Sequence, residues 1–261
     1  MSWTRGVCVW CRGDARGAPP EHSVPEALGC APEWILTEGA CAACNHGVLA
    51  KLDRVLADSF DLMRVQAGIV GKKGRPATIS GRGNMRGTTT APGHMTIAIN
   101  MTRGAVVAPV LGRLSGHQDR PTDVRASMLG TGEPGSPGSV NLKIEFDGRV
   151  LVRAIHKVAL ELVATSSEVD VMSPALDPVR DFVTRDRGRR YILAGAVDGY
   201  RHQMRGLWEG SVPGECAIEL TLCGVEFLVD LTPDQLVIRR WREEPSILAG
   251  VGILPSSVRD R

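Results

Sequence analysis

Two Cys-x-x-Cys pairs near the start of the chain constrain its folding more than any other feature of the sequence. The first pair is Cys8 and Cys11, the second is Cys41 and Cys44, and 29 residues separate them. Each pair can form a tight turn that points both thiolates at one place, and together they supply the four sulfur ligands that tetrahedral Zn²⁺ prefers. The spacing therefore predicts a structural zinc site, with four ordinary reduced cysteines as the alternative.

A zinc site would explain how so short a segment folds. A module of this length buries little apolar surface, so a bound metal ion has to supply much of its folding free energy. Cys30 lies between the two pairs, and we expect it to be buried rather than to act as a further ligand.

The cysteines also bear on the compartment. The first residues contain no apolar stretch of signal-peptide length, and no run approaches the roughly 18–20 uninterrupted apolar residues of a membrane span. These patterns predict a cytoplasmic protein, in which a framework of disulfides is not expected. A thiol oxidoreductase is disfavoured because no βαβ pattern precedes Cys8.

The net charge of the chain is only +2, and its positive charge is concentrated in short segments. A chain this close to neutral binds nucleic acid only through local basic surfaces. Two segments are rich enough in cations to form such a surface. Segment 71–87 has five cations and no acid, and segment 185–190 has four arginines and one aspartate. The cations of the first segment are predicted phosphate contacts, with a merely solvated loop as the alternative: Lys72, Lys73, Arg75, Arg82 and Arg86.

The rest of the chain has the patterns of a mixed α and β protein. Apolar residues spaced by three and four predict a helix over 44–66 and another within 153–165. Asp177 followed by Pro178 is typical of the start of a third, short helix. His156 lies between apolar neighbours of the second helix and is predicted to be structural.

Strands are predicted from apolar and β-branched runs, and loops from runs of Gly, Pro and polar residues. The dipeptide Asp147-Gly148 predicts a hairpin turn between two strands. The other predicted strands are 94–101, 105–111, 190–197, 216–222, 225–231 and 236–241, and the predicted loops are 71–93 and 115–139.

The segment between the cysteine pairs resembles a known family. "EHSVPEALG" (21–29), followed by "CAACNHGVLAKLD" (41–53), is similar to the zinc-stapled HNH endonucleases, in which a Glu/Asp-His-x-x-Pro motif precedes a Cys pair that runs directly into a helix. The resemblance covers residues 5–60, with a weaker similarity of "RAIHKVALELVA" and "DPVRDFV" to the C-terminal region of longer members. It implies a ββα-metal fold, hydrolysis of DNA, and a setting in phage or in defence against phage.

The resemblance also implies roles for particular residues. His22 corresponds to the general base, which a neutral imidazole can be near pH 7. Glu21 and Asn45 correspond to the ligands of a catalytic Mg²⁺ or Mn²⁺, with His46 as the alternative to Asn45. The alternatives without a catalytic role are that Glu21 and His22 are ordinary surface residues and that Asn45 only caps a helix.

The sequence departs from the family at one position. An asparagine that orients the base usually stands in the second strand, shortly before the second cysteine pair. Here the segment is "WILTEGA", and Thr37 or Glu38 lies near the expected place. This gap favours the alternative hypothesis of a non-catalytic zinc module that binds nucleic acid or protein.

These patterns together predict an α+β protein in three parts. Residues 1–68 would form the HNH module, 69–139 a basic linker with strands and a flexible loop, and 140–261 a C-terminal α+β domain of unknown role. DNA is the predicted partner, and no membrane is expected. A second copy of the chain or a partner protein would bind through the C-terminal domain.

Overall fold

The structure is a computed structural model of the chain, and it contains both helices and strands, consistent with an α+β protein. The residues that it describes are 4–60, 64, 69, 78–80, 85–91, 94–99, 121–128, 140–166, 169–196, 203–208, 216–223 and 225–243.

The first part of the chain forms two short antiparallel strands and then a helix. Strand β1 (Glu21–His22) pairs with β2 (Ile35–Leu36), and the register sets Glu21 opposite Leu36 and His22 opposite Ile35. Two single 3₁₀ turns, Glu26–Leu28 and Pro32–Trp34, connect the strands. Proline at the first position of the second turn suits it, because Pro has no N–H to leave unsatisfied there.

The helix predicted after the second cysteine pair is confirmed, but it is not uniform. It consists of α1 (Ala42–Cys44), a π-helical stretch (Asn45–Leu49) and α2 (Ala50–Ser59). Gly47 has non-helical dihedrals (φ −90°, ψ −109°) and marks a kink in the π-helical stretch. Such π stretches occur often at functional sites.

A long helix occupies the centre of the described structure. It is α3 (Gly148–Ser166), and every residue from Ala154 to Ala164 is buried. The hairpin predicted at Asp147-Gly148 is therefore wrong, since Asp147 ends strand β7 and Gly148 begins α3. The apolar residues after Gly148 recur at helical spacing, and this longer pattern outweighs the local turn signal.

The middle of the chain contains strands that the sequence analysis assigned to loops. The order β3-β4-β5 forms one antiparallel sheet, and β6 pairs with β7 along their whole lengths. Segments 71–93 and 115–139 are thus not loops throughout, because they contain β3, β4 and β6. The predicted strand at 105–111 lies outside the described residues. The strands are β3 (Thr78–Ser80), β4 (Met85–Ala91), β5 (His94–Ile99), β6 (Pro121–Met128) and β7 (Val140–Asp147).

The C-terminal part forms a four-stranded antiparallel sheet in the order β8-β11-β10-β9. Three of its strands were predicted, and β9 was missed. The short helix predicted at Asp177 is confirmed as α4 (Asp177–Arg185). The strands are β8 (Ile192–Ala196), β9 (Gln203–Trp208), β10 (Ala217–Leu222) and β11 (Val225–Asp230).

The strand predicted at 236–241 is wrong, because this segment is helix α5 (Leu236–Glu243). Its start is capped by side chains from the end of β11. The amides of Val237 and Ile238 donate to Asp230 Oδ2 (2.8 and 3.1 Å), and the amide of Leu236 donates to Thr232 Oγ1 (3.1 Å). These caps satisfy amides that a helix start leaves free.

One hydrophobic core joins the two ends of the chain. Buried residues of the first 60 positions belong to the same cluster as those of α3, α4 and the C-terminal sheet. Phe60 meets Phe227 of β11 edge to face, with ring centroids 6.1 Å apart. The domain boundaries at 68 and 139 stay predictions, while the packing shows that α3 closes the core of the N-terminal segment. No described helix is both long and apolar enough to cross a membrane.

Because α3 is central, truncation of its side chains should be costly. Leu162 of α3 is 0% exposed and Leu236 of α5 is 36% exposed. We expect Leu162→Ala to lower the free energy of unfolding by about 2–5 kcal/mol and Leu236→Ala to change it by less than about 0.5 kcal/mol. Denaturant titration of both variants with zinc present measures this; equal effects would contradict the central position of α3.

Candidate functional site

The first cysteine pair lies in a small hairpin that its backbone holds in place. Val7 forms a bridge with Asp14, and the amide of Cys8 donates to the carbonyl of Gly13 (2.8 Å). The hairpin is bound to the segment before the second pair, since the amide of Val9 donates to the carbonyl of Gly39 (2.8 Å). These bonds bring both pairs together.

The four cysteines form one cluster, as the spacing predicted. The sulfur atoms of Cys8, Cys11, Cys41 and Cys44 all lie within 4.8 Å of one another, and Cys11 Sγ is 3.6 Å from Cys41 Sγ. A tetrahedral zinc ion with Zn–S bonds of about 2.3 Å requires sulfurs about 3.8 Å apart. The cluster fits this geometry, and it can hold a metal ion such as zinc.

The pKa values of the thiols show how a bound cation would stabilise the ionised cluster. A hydrogen bond from Cys44 lowers the pKa of Cys8 to about 4, and the backbone amides of Cys41, Cys11 and Trp10 lower it as well. Burial of the thiol opposes this shift. The same contact with Cys8 raises the pKa of Cys44, and burial raises that of Cys11. Neighbouring thiolates repel each other, so full ionisation of the set requires a bound positive ion.

Cys30 lies apart from this cluster. Its thiol donates to the carbonyls of Ala31 (3.4 Å) and Trp34 (3.8 Å), and burial raises its pKa. Both features favour a neutral thiol, as expected for a residue that is not a ligand.

Glu21 and His22 lie on β1 but in different surroundings. Glu21 is 3% exposed, and its Oε1 lies 2.6 Å from the Nζ of Lys157 on α3. His22 is half-buried, and its carbonyl accepts a hydrogen bond from the same Nζ (3.0 Å). Both residues of the motif are therefore tied to a helix more than 100 residues further along the chain.

Lys157 is the centre of a buried charge cluster. Besides Glu21, its Nζ binds Asp53 Oδ1 of α2 (2.9 Å) and Glu161 Oε2 on the next turn of α3 (3.0 Å). Glu161 also accepts a hydrogen bond from the indole Nε1 of Trp10 (2.8 Å), a residue between Cys8 and Cys11. One lysine thus connects β1, α2 and, through Glu161, the first cysteine pair.

The charges of this cluster depend on each other. Burial alone would lower the pKa of Lys157, but the carboxylates of Glu161, Asp53 and Glu21 outweigh burial and raise it. Burial raises the pKa of each of the three carboxyls, and Lys157 opposes the rise. A protonated His22 would lower the pKa of both Glu21 and Asp53, so its ring lies within electrostatic reach of both. Lys157 therefore remains a cation throughout the physiological range.

The other predicted site residues lie near the start of the helix. Asn45 is half-buried, begins the π-helical stretch and donates its amide to the carbonyl of Cys41 (2.9 Å). His46 and Thr37 are exposed. Glu38 pairs with Arg5 (3.3 Å) and accepts from the amide of Gly17 (2.8 Å), so it braces the N-terminal segment.

The predicted nucleic-acid contacts are described only in part. Lys72, Lys73, Arg75 and Arg82 lie outside the described residues, and Arg86 lies on β4, opposite Ala98 of β5. In the second basic segment, Arg190 is buried and donates to the carbonyls of Asp230 (2.7 Å) and Thr232 (2.6 Å).

A cavity of about 370 Å³ lies beside the cysteine cluster, between the first cysteine pair and α4. Its cations are already paired, Arg12 with Asp177 (2.6 Å) and Arg185 with Asp181 (2.7 Å). Neither Glu21 nor His22 lines the cavity. The cavity is therefore separate from these two predicted catalytic residues.

Sequence reasoning missed Lys157, Glu161 and Asp53. A signal existed for each of them. Asp53 interrupts the apolar stripe of the predicted helix, four residues after Leu49. Lys157 and Glu161 form a charged i,i+4 pair within a stretch of the helix, 154–164, whose other residues are apolar apart from His156. Charges on a buried face need partners, so these positions predict a buried ionic contact, although not its members.

No protein-family model, curated protein or solved structure matches this chain.

His156 is buried and structural, as predicted. Its Nδ1 lies 2.9 Å from the carbonyl of Val152, so Nδ1 carries the proton, and its ring packs edge-on against Phe182 at 5.3 Å. Burial, with the charge of Arg190, lowers its pKa to about 3 from the ordinary 6.5.

We expect Cys8→Ser to abolish zinc binding, because an alcohol does not replace a thiolate ligand. Cys30→Ser is the matched control and should retain one zinc ion per chain. Metal analysis of the purified proteins, with thermal unfolding in parallel, measures this. Retained zinc in Cys8→Ser, with an unchanged transition, would contradict the four-cysteine site.

The buried His156 should make the protein sensitive to acid. Between its pKa of about 3 when folded and 6.5 when unfolded, only the unfolded chain binds the proton. The wild type should therefore lose about 1.4 kcal/mol of stability per pH unit below pH 6.5 relative to His156→Met. Urea unfolding at several pH values tests this, with His46→Met as the exposed control; parallel slopes for wild type and His156→Met would refute it.

Proposed function

We propose that this chain is an HNH-type, metal-dependent endonuclease that hydrolyses phosphodiester bonds of DNA. The observation that supports the proposal most is the order of elements around the motif. The strand with Glu21 and His22 pairs with β2, and the helix that follows begins within the cysteine cluster. This is the ββα order that the resemblance implies.

In the proposed reaction His22 is the general base. It takes a proton from a water molecule that attacks the phosphorus, while charge develops on the phosphate and on the departing oxygen. His22 is half-buried, so part of this residue is exposed to solvent. Its backbone is fixed by Lys157 (3.0 Å), which limits the positions that the ring can take.

The catalytic divalent ion needs ligands that are free to bind it. Glu21 does not fit this role, because it is buried and its Oε1 is 2.6 Å from Lys157 Nζ. Asn45 is half-buried and His46 is exposed, so these are the residues that would hold Mg²⁺ or Mn²⁺. When bound, the ion would supply positive charge to the phosphate and the leaving oxygen.

DNA would approach the site through basic side chains outside the motif. We assign phosphate contacts to Lys72, Lys73, Arg75, Arg82 and Arg86, which would bind any sequence with similar strength. A nuclease of this kind suits a role in phage or in defence against phage.

A second candidate function is a non-catalytic zinc module that binds nucleic acid or protein. Two observations favour it. Glu21 is held by Lys157 and not left open for a metal ion, and the orienting asparagine is absent from "WILTEGA" (34–40).

Nicking of a supercoiled plasmid in the presence of Mg²⁺ or Mn²⁺ decides between the two functions. We expect the wild type to nick, and His22→Ala to nick about 10²–10⁴-fold more slowly, which is the usual contribution of a general base. Zinc content and thermal unfolding should not change.

Glu33→Ala is the control, because Glu33 is exposed on the turn before β2. It should nick at the wild-type rate. A wild type that cuts no nucleic acid with either metal would favour the non-catalytic module. Wild-type activity in His22→Ala would exclude this residue as the base.

A further inference from the structure

Lys157 is an unusual residue to find in a hydrophobic core. Its side chain is 0% exposed, and its neighbours on α3, Ile155 and Val158, are fully buried apolar residues. Burial of an ammonium costs several kcal/mol unless the ion is well paired, and apolar replacement of such pairs is often neutral or stabilising. Stability alone therefore gives a weak reason for a charge at this position.

The contacts of Lys157 converge on the strand of the motif. Its Nζ has four oxygen neighbours at 2.6–3.0 Å: Glu21 Oε1, Asp53 Oδ1, Glu161 Oε2 and the carbonyl of His22. Two of the four belong to β1, and the other two belong to α2 and α3.

The alternation of a strand explains how this contact fixes the imidazole. Successive side chains of a strand point to opposite faces. Because Glu21 points toward α3 and is held there, His22 must point to the other face of β1. The hydrogen bond to the carbonyl of His22 (3.0 Å) holds the backbone at the residue that carries the ring.

The same lysine is connected to the cysteine cluster. Glu161 lies between Lys157 Nζ (3.0 Å) and the indole of Trp10 (2.8 Å), and Trp10 lies between Cys8 and Cys11. The buried guanidinium of Arg180 on α4 also contacts this pair, since its Nε donates to the carbonyl of Val9 (2.6 Å), but it has no part in the connection through α3. The first cysteine pair and β1 are therefore held against one helix.

We propose that Lys157 is a positioning residue, which binds Glu21, Asp53 and the backbone of His22 together and so fixes the imidazole of His22. This inference rests on the proposed nuclease function for its purpose. Lys157 contacts no substrate, because it is completely buried. The activity would then depend on a helix that lies outside the motif.

The test compares variants of two cations on α3. Lys157→Met removes the charge and keeps the length of the side chain. Arg153→Met is the matched control, because Arg153 lies on the same helix and binds the carbonyl of Val183 (2.6 Å) and Asp186. Lys157→Arg restores the charge.

Two measurements are made on the full-length zinc-loaded proteins. The first is the NMR spectrum of ¹⁵N-histidine-labelled protein, in which loss of a signal in His22→Gln assigns the ring of His22. The second is plasmid nicking, separated into kcat and KM. We expect the His22 ring signals to move in Lys157→Met and kcat to fall about 10- to 100-fold at constant KM, the usual effect of losing a supporting residue.

Lys157→Arg should return the His22 signals toward the wild-type positions, and Arg153→Met should leave them in place. His22 signals in Lys157→Met that coincide with those of the wild type would overturn the proposal. If Lys157→Met does not fold, Lys157→Met/Glu161→Gln replaces both charges of the i,i+4 pair and leaves Trp10 its acceptor, and the same criterion applies to it.

The two hypotheses fail separately. A wild type that does not nick DNA overturns the proposed function, while the ring signals of His22 still decide whether Lys157 positions this residue. A wild type that nicks, with unmoved ring signals and an unchanged kcat in Lys157→Met, overturns the positioning role alone.

Discussion

The ion cluster around Lys157 joins parts of the chain that are distant in sequence. One ammonium binds the side chain of Glu21, the backbone of His22 and the carboxylates of Asp53 and Glu161. This ammonium is the shared partner of the whole cluster, since its loss would leave the buried carboxyl groups of Glu21 and Glu161 without their cation in the core. The position of β1 against α2 and α3 depends on this contact.

The cysteine cluster has a complementary role. It holds the hairpin of the first pair against the start of the helix that carries Asn45, and it can be completed by a metal ion. Trp10 connects this cluster to Glu161. A metal at the cysteines and the ammonium at Glu21 would thus stabilise one another through α3. The four cysteines lie within the first 60 residues, whereas Lys157 and Glu161, which connect them to β1, do not.

Much of the described fold follows from sequence patterns, and the exceptions have physical reasons. The helix after Cys44 and strands β10 and β11 carry strong periodic patterns and were predicted. The Asp147-Gly148 hairpin and the strand at 236–241 were wrong. In the first case a helical repeat follows the turn signal, and in the second a helix is capped by Asp230 and Thr232, which lie before it in the chain.

The candidate site was predictable only where its residues are close in sequence. Ligand spacing predicted the four-cysteine cluster, which is confirmed, while the roles that the local motifs indicate for His22 and Asn45 stay predictions. The partner of Glu21 is 136 positions away, and no local pattern specifies such a contact. The sequence shows Lys157 and Glu161 as charged residues among apolar ones. It does not show which residues pair with them, because that depends on how distant segments pack.

The most direct test is a crystal structure of the zinc-loaded protein soaked with Mn²⁺, with anomalous scattering recorded at the edges of both metals. The account predicts zinc among the four cysteine sulfurs, manganese beside Asn45 and His46, and Lys157 Nζ still bound to Glu21. Manganese bound between Glu21 and Asp53 with Lys157 displaced, or no metal among the cysteines, would contradict it.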